Sequence, residues 1–296
     1  MLEIKLIICP VDFSEFSVRA YRHALSLAEH YQAKLVALHV VELWRYPYAD
    51  YAASAGDYAE FCRALHEGGK ERLREFAKKH TDNQIEPELA VHQGMAADSI
   101  LSFVQSPKAD LIVMGTHGRR GFDRLVLGSV TDRVMRKAPC PVLAVSGPSS
   151  ETMAGGKEPH HAHHLNHVLF CTDFSENSRA ALSYAISAAE EYHAELTLLH
   201  VLEEVSSGAR AEDAVAKVMR HLDELVPPER RKTLEIKTEV RTGKPYQQII
   251  QLALKAQTDL VVMGVRGGGS LDAAVFGSTT YRVIQLGSCP VLTVHA

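Results

Sequence analysis

The chain repeats itself at domain length, and this feature constrains its fold more than any other. The run IICPVDFSEFSVRAYRHALSLAEHYQAKLVALHVVE, from Ile7, aligns without a gap to VLFCTDFSENSRAALSYAISAAEEYHAELTLLHVLE, from Val168, at an offset of 161. Further on, ADLIVMG (109–115) meets TDLVVMG (258–264) and CPVLAV (140–145) meets CPVLTV (289–294), at an offset of 149. The first copy therefore carries 12 extra residues in its middle. A unit of roughly 140 residues is too long for a solenoid repeat and suits a domain. The expected division is residues 1–146 and 165–296, joined by 147–164. That connecting segment, GPSSETMAGGKEPHHAHH, is rich in Gly, Pro, Ser and His and lacks apolar periodicity, so it reads as a linker.

Within each copy the hydrophobic period alternates. IKLIICPV is a short, continuous, β-branched-rich run, as expected of a strand buried on both faces. Helical spacing follows: Ala20, Ala24, Leu27, Ala28 and Tyr31 share a face, matched by Ala181, Ala185, Ala188, Ala189 and Tyr192. The pattern then predicts a strand at KLVALHVV, a helix over about 56–79, and a strand in EPELAVHQG. A helix over 96–104, a strand at DLIVMG, a helix over 129–137 and a last strand at PVLAVS complete the copy. Strands alternating with helices predict two tandem flavodoxin/Rossmann-like α/β domains. Each would be a five-stranded, parallel, doubly wound sheet with helices on both faces. Five strands favour the flavodoxin-like class, but periodicity leaves the strand order open.

The stretch GTHGRRGFDRLVLGS (115–129) has the skeleton G-x2-G-x9-G-S, and GVRGGGSLDAAVFGS (264–278) keeps it while most other residues change. In open α/β sheets, ligands sit beyond the carboxyl ends of the strands where strand order reverses. Asp12 and Asp173 follow the first strand of each copy, and Gly115 and Gly264 close the fourth. Glycine lets backbone N–H groups approach a ligand, and the helix expected to open at Ser129 or Ser278 offers its positive dipole end. Such a loop suits phosphate. The facing carboxylate suits ribose hydroxyls or a base amine, and the two together describe a nucleotide.

Composition and missing motifs narrow the alternatives. Lysine plus arginine number 32 against 36 acidic residues, a net charge of −4, which argues against nucleic acid and gives no attraction to an anionic membrane. The opening MLEIKLIICPVDF reads as a strand and not a leader peptide. The five cysteines are odd in number and dispersed, which suggests reduced thiols in a cytosolic protein. Neither a Walker G-x4-G-K-[ST] loop nor a G-x-G-x-x-G after the first strand is present. Within the glycine loops only Asp123 and Asp272 offer carboxylates, so efficient hydrolysis is not expected.

The set P-V-D-F-S, L-H-V, V-M-G-x-x-G-x9-G-S-V-T and C-P-V-L resembles the universal stress protein family in its tandem form, over nearly the whole chain outside the linker. The resemblance implies a five-stranded parallel sheet, a cytoplasmic stress-related role and bound ATP; other adenine nucleotides and Mg are further candidates. It places base and ribose contacts at Asp12 and Val40, and the phosphate loop at Gly115, Gly118, Gly128, Ser129 and Val130, with Thr131 adjacent. In the second copy the matches are Asp173, Val201, Gly264, Gly267, Gly277, Ser278 and Thr279. The expected function is an ATP-binding regulator. The alternatives are a slow ATPase or nucleotidyl-transferring enzyme, and an interaction protein with one working site. The family also pairs domains through the last strand, which implies intramolecular pairing, with a homodimer and an unidentified protein partner as further expectations.

Some residues fall outside this scheme. The first loop carries His117, Arg119, Arg120 and Arg124, whereas the second has Arg266 and three consecutive glycines, so tighter triphosphate binding is expected in the first domain. The extra segment of the first copy holds Trp44, Tyr46, Tyr48, Tyr51 and Tyr58, as a lid, an interface or a small satellite cluster. HHAHHLNH reads as solvated linker in preference to a metal site, and His39 and His200 as makers of structural hydrogen bonds.

Overall fold

The computed structural model describes residues 3–43, 55–81, 85–106, 108–117, 127–146, 165–203, 209–266 and 277–296. Trp44, Tyr46, Tyr48 and Tyr51, the four histidines between 160 and 164, and the loops holding Gly118, Arg119, Arg120, Asp123, Arg124, Gly267 and Asp272 lie outside them. The expectation that HHAHHLNH is solvated linker fails at His167, which is buried at the start of a strand because its neighbours pair into the sheet. The chain forms two compact units, Ile4–Val145 and, with the first residues, Ser146–Ala296.

The first unit runs β1 (Leu6–Pro10), α1 (Glu15–Tyr31), β2 (Lys34–Val41), α2 (Ala55–His80), β3 (Glu88–Gln93), α3 (Ala96–Gln105), β4 (Leu111–Gly115), α4 (Ser129–Lys137) and β5 (Val142–Val145). The second repeats it as β6 (His167–Cys171), α5 (Glu176–Tyr192), β7 (Glu195–Leu202), α6 (Ala209–Leu225), a short α7 (Pro228–Arg231), β8 (Ile236–Thr242), α8 (Pro245–Lys255), β9 (Leu260–Gly264), α9 (Ser278–Leu286) and β10 (Val291–Val294). All strand pairs within a unit are parallel. The open question of order resolves as β3-β2-β1-β4-β5, repeated as β8-β7-β6-β9-β10. This is the Rossmann sequence of strands and not the 2-1-3-4-5 order of flavodoxin. The difference matters because it makes the first and fourth strands neighbours.

In the first unit α1 and α2 pack together, as do α3 and α4, so the sheet is covered in two pairs. The alanine stripe explains how closely α1 lies. Ala20, Ala24 and Ala28 are buried, as are Ala181, Ala185, Ala188 and Ala189 in the second unit. Leu27 and Tyr31 are only half-buried. The large side chain beneath α1 is instead Tyr21, whose hydroxyl meets Thr81 Oγ1 at 2.7 Å. At the opposite end of the sheet, Asp110 accepts the N–H groups of Lys5 and Leu6 at 2.8 and 2.9 Å, tying the start of β1 to β4. Asp259 does the same for Asn166 and His167. All five cysteines are free, and burial pushes the Cys140 and Cys289 thiols up to about 12, too high for thiolate chemistry near neutrality.

His167 distinguishes the units, since its counterpart is Leu6. The buried ring sits between Thr258 Oγ1 on Nδ1 and Thr197 Oγ1 on Nε2, both at 2.8 Å, with Glu195 Oε1 3.6 Å away. Burial lowers its pKa, against the opposing pull of Glu195 and Asp259. The unfolded chain therefore takes up the proton first. The neutral ring's contribution is complete above about 6.5 and is lost as pH falls through the lower folded value. We expect His167→Gln, which bonds but does not titrate, to lose less melting temperature between pH 7.5 and 5.5 than the parent chain. Equal losses would show that His167 plays no part in the acid response.

Candidate functional site

The site builds from the register of three strands. β1 pairs β2 with Pro10 opposite Leu38, and β4 with Ile8 opposite Ile112. Extended by a few residues, these registers set Asp12 level with Val40 on one side and Thr116 on the other. In the second unit the row is Val201, Asp173 and Val265, from Cys171 opposite Leu199 and Met263. The carboxylate thus stands at the carboxyl end of the central strand, beside the point where order reverses.

Local chemistry holds it there. Ser14 N–H donates to Asp12 Oδ1 at 3.0 Å, and the Ser14 hydroxyl caps α1 by accepting from Ser17 N–H. The intervening Phe13 has φ of 66°, a left-handed conformation uncommon for a bulky residue. Its counterpart Phe174 has φ of 64°. In the second unit Ser175 gives Asp173 Oδ1 two bonds, from N–H at 3.1 Å and from the hydroxyl at 2.6 Å. His39 Nδ1–H donates to Val11 O at 2.7 Å, and His200 Nδ1–H to Thr172 O at 2.8 Å. These imidazoles steady the exits of β1 and β6, as expected of structural histidines.

The glycines follow a different logic from the one expected. A Cβ on Gly115 would meet Phe16 Cβ at 2.8 Å and its backbone at 2.9 Å. On Gly264 it would meet Asn177 and Ser178 at 2.8 Å. The missing side chain makes room for the first turn of α1 or α5, so these two positions serve helix–strand approach. Gly128 and Gly277 are N-caps without a side-chain bond, and neither has a positive φ. Gly128 N–H donates to Thr116 O at 2.9 Å, and Thr131 Oγ1 donates to Gly115 O at 2.8 Å. Two bonds therefore pin the start of α4 to the end of β4. In the second unit the bonds are Gly277 N–H to Val265 O (3.1 Å) and Thr280 Oγ1 to Gly264 O (3.0 Å).

Thr131 is buried with its proton committed to the fold. Its counterpart at the offset of 149 is Thr280, which the expected second-copy set, ending at Thr279 opposite Val130, leaves out. Ser129 and Ser278 are exposed at the first helical position, and Val130 and Thr279 are half-buried beside them. The first-turn amides of α4 and α9 thus receive no side-chain cap and lie next to the carboxylate's strand. An anion fits the helix start and a hydrogen-bond donor fits the aspartate. His117 needs a correction. It is buried, its ring lies 4.9 Å from Phe16, and Nδ1 meets Thr116 Oγ1 at 2.9 Å, so it is packing and not part of a basic loop surface.

Comparison with known proteins agrees with this architecture. The model of the universal stress protein family matches residues 3–146 and 164–295. A universal stress protein of Methanocaldococcus jannaschii is 36% identical over 147 residues, covering 50% of this chain and 85% of its own. One from Mycolicibacterium smegmatis is 26% identical over 300 residues, covering 98% of this chain and 96% of its own. The crystal structure of an Archaeoglobus fulgidus universal stress protein superposes with a TM-score of 0.68 at 22% identity, covering 98% and 95%.

The contacts rank the glycines by stability. Gly115→Ala must push α1 away from β4 and should cost roughly 1–3 kcal/mol. Thr131→Val loses one buried clip and should cost about 1 kcal/mol. Gly128→Ala meets nothing closer than Thr116 O at 3.2 Å and should cost less than Gly115→Ala. Urea unfolding measures all three, and a Gly115→Ala midpoint equal to the parent would refute the packing account.

Proposed function

The chain belongs to the universal stress protein family, and from that premise we propose that it is a regulatory protein that binds an adenine nucleotide, ATP foremost, in the mouth of each sheet. One observation carries this reading. In each unit a carboxylate and an uncapped helix start, drawn from distant parts of the sequence, are brought side by side by the pairing of the central strand with the fourth. A polyanion with a hydroxyl-bearing end satisfies both groups at once. In this reading Asp12 and Asp173 accept from the sugar or base, Val40 and Val201 border it, and the amides of Ser129, Val130, Ser278 and Thr279 face phosphate. Gly118 and Gly267 complete the loops.

Among the described residues no group of three or more His, Cys, Asp or Glu side chains could hold a metal ion. No helix among the described residues is long and apolar enough to cross a membrane. The proposed setting is the cytoplasm, with nucleotide state altering conformation or partner choice.

Nucleotide extracted from protein as purified, counted per chain, should be adenine nucleotide at a ratio approaching two. A ratio near one would mark the interaction-protein reading with a single working site, and zero with no uptake of added ATP would refute nucleotide binding. Asp12→Ala and Asp173→Ala should each weaken ATP about tenfold at their own site, with the fold unchanged by circular dichroism. Multiple turnover of ATP by the parent chain would favour the ATPase alternative.

A further inference from the structure

Between each nucleotide-facing carboxylate and its helix cap lies a phenylalanine in the left-handed region, Phe13 or Phe174. A bulky residue stays there only where its surroundings hold it, and the rings are held on their faces. Phe13 contacts His39 (centroids 4.5 Å) and Phe76 (5.7 Å, edge-on), and the Arg72 guanidinium lies 4.4 Å over its ring. Phe174 contacts His200 at 4.8 Å and His221 at 4.2 Å, the last with planes 1° apart. Arg72 and His221 correspond at the offset of 149. The two copies therefore lay a permanent cation and a titratable ring on the equivalent aromatic.

We propose that Arg72 and His221 are positioning residues for the two nucleotide sites, and that His221 makes the second site bind more tightly as pH falls through the histidine range while the first stays level. The proposal rests on the nucleotide reading above. Protonated imidazole adds a cation–π attraction to Phe174 that the neutral ring lacks. A firmer Phe174 fixes the turn in which Asp173 accepts from Ser175.

His221 is exposed, so solvent protons reach it. On its own helix, Lys217 and Glu224 lie one turn away with opposite charges. From β7 it shares Phe174 with His200. On β8, Thr238 bonds Asp223 of α6, so alternation turns Lys237, Glu239 and Arg241 to the other face. Arg231 of α7 is engaged by Asp223. Asp173 lies next to Phe174 in the turn, with its carboxylate engaged by Ser175.

Hydrogen exchange of the full chain, titrated with ATP at pH 8 and pH 6, reads the two sites separately through peptides spanning 11–17 and 172–178. Relative to the first site, the second should gain about threefold in affinity at pH 6, the scale of an exposed cation–π contact. His221→Arg should hold the second site at its tighter value at both pH values, and Arg72→His should transfer the pH response to the first. Identical pH profiles at both sites, or exchanged residues that leave the profiles in place, would overturn the proposal. If neither peptide gains protection with ATP, nucleotide binding itself falls. If only 11–17 responds, a flat profile for Arg72→His overturns the proposal.

Discussion

The mouth of each sheet depends on how closely one helix start can approach the end of the fourth strand. Phe16 lies where a side chain at Gly115 would have to be, and Asn177 and Ser178 stand likewise over Gly264. Because the glycines yield that space, the turns carrying Asp12 and Asp173 settle directly against the exits of β4 and β9. The next helix is then fixed to the same exit, through Thr131 or Thr280 on the glycine carbonyl. A larger residue at the strand end would separate the carboxylate from the helix start that completes the site.

The two copies keep this frame and vary what surrounds it. Asp173 is exposed and accepts from the Ser175 N–H and hydroxyl, whereas Asp12 is half-buried and accepts from Ser14 N–H. His117 is packed into the first unit against Phe16, while Arg266 stands at the matching place in the second. Arg72 and His221 differ in the same manner over the conserved phenylalanine geometry. The backbone contacts that build the mouth are duplicated, and the side chains that set its charge have diverged.

Much of the candidate site was legible in the chain because its elements are local. The Asp-Phe-Ser-Glu motif lies between a strand pattern and a helix pattern, and the glycine–serine skeleton recurs with its spacing intact. Other features had no local signal. That Gly115 serves a helix more than 90 residues upstream depends on which strands become neighbours. His117 reads as a loop cation beside three arginines until Phe16 is seen to cover it. The repeat offset pairs Thr280 with Thr131, but that either hydroxyl clips a helix start to a glycine carbonyl shows only in the folded chain. The left-handed φ of Phe13 is not announced by its residue type, and the rings it meets, His39 on β2 and Phe76 on α2, lie outside any window around position 13.

The fold divides along the same line. Duplication, five strands per copy, their parallel sense and their near boundaries all follow from hydrophobic period and β-branched content, which act over a few residues and are therefore readable in one dimension. Strand order is not. The β3-β2-β1-β4-β5 arrangement and the 2-1-3-4-5 alternative demand the same buried runs and the same helix faces, so the linear pattern satisfies both. The choice is made by contacts between segments far apart in sequence, the Gly115–Phe16 approach and the Asp110 bonds to Lys5 and Leu6 among them. Such contacts exist only once the sheet is assembled, and they put the aspartate and the helix start at one mouth.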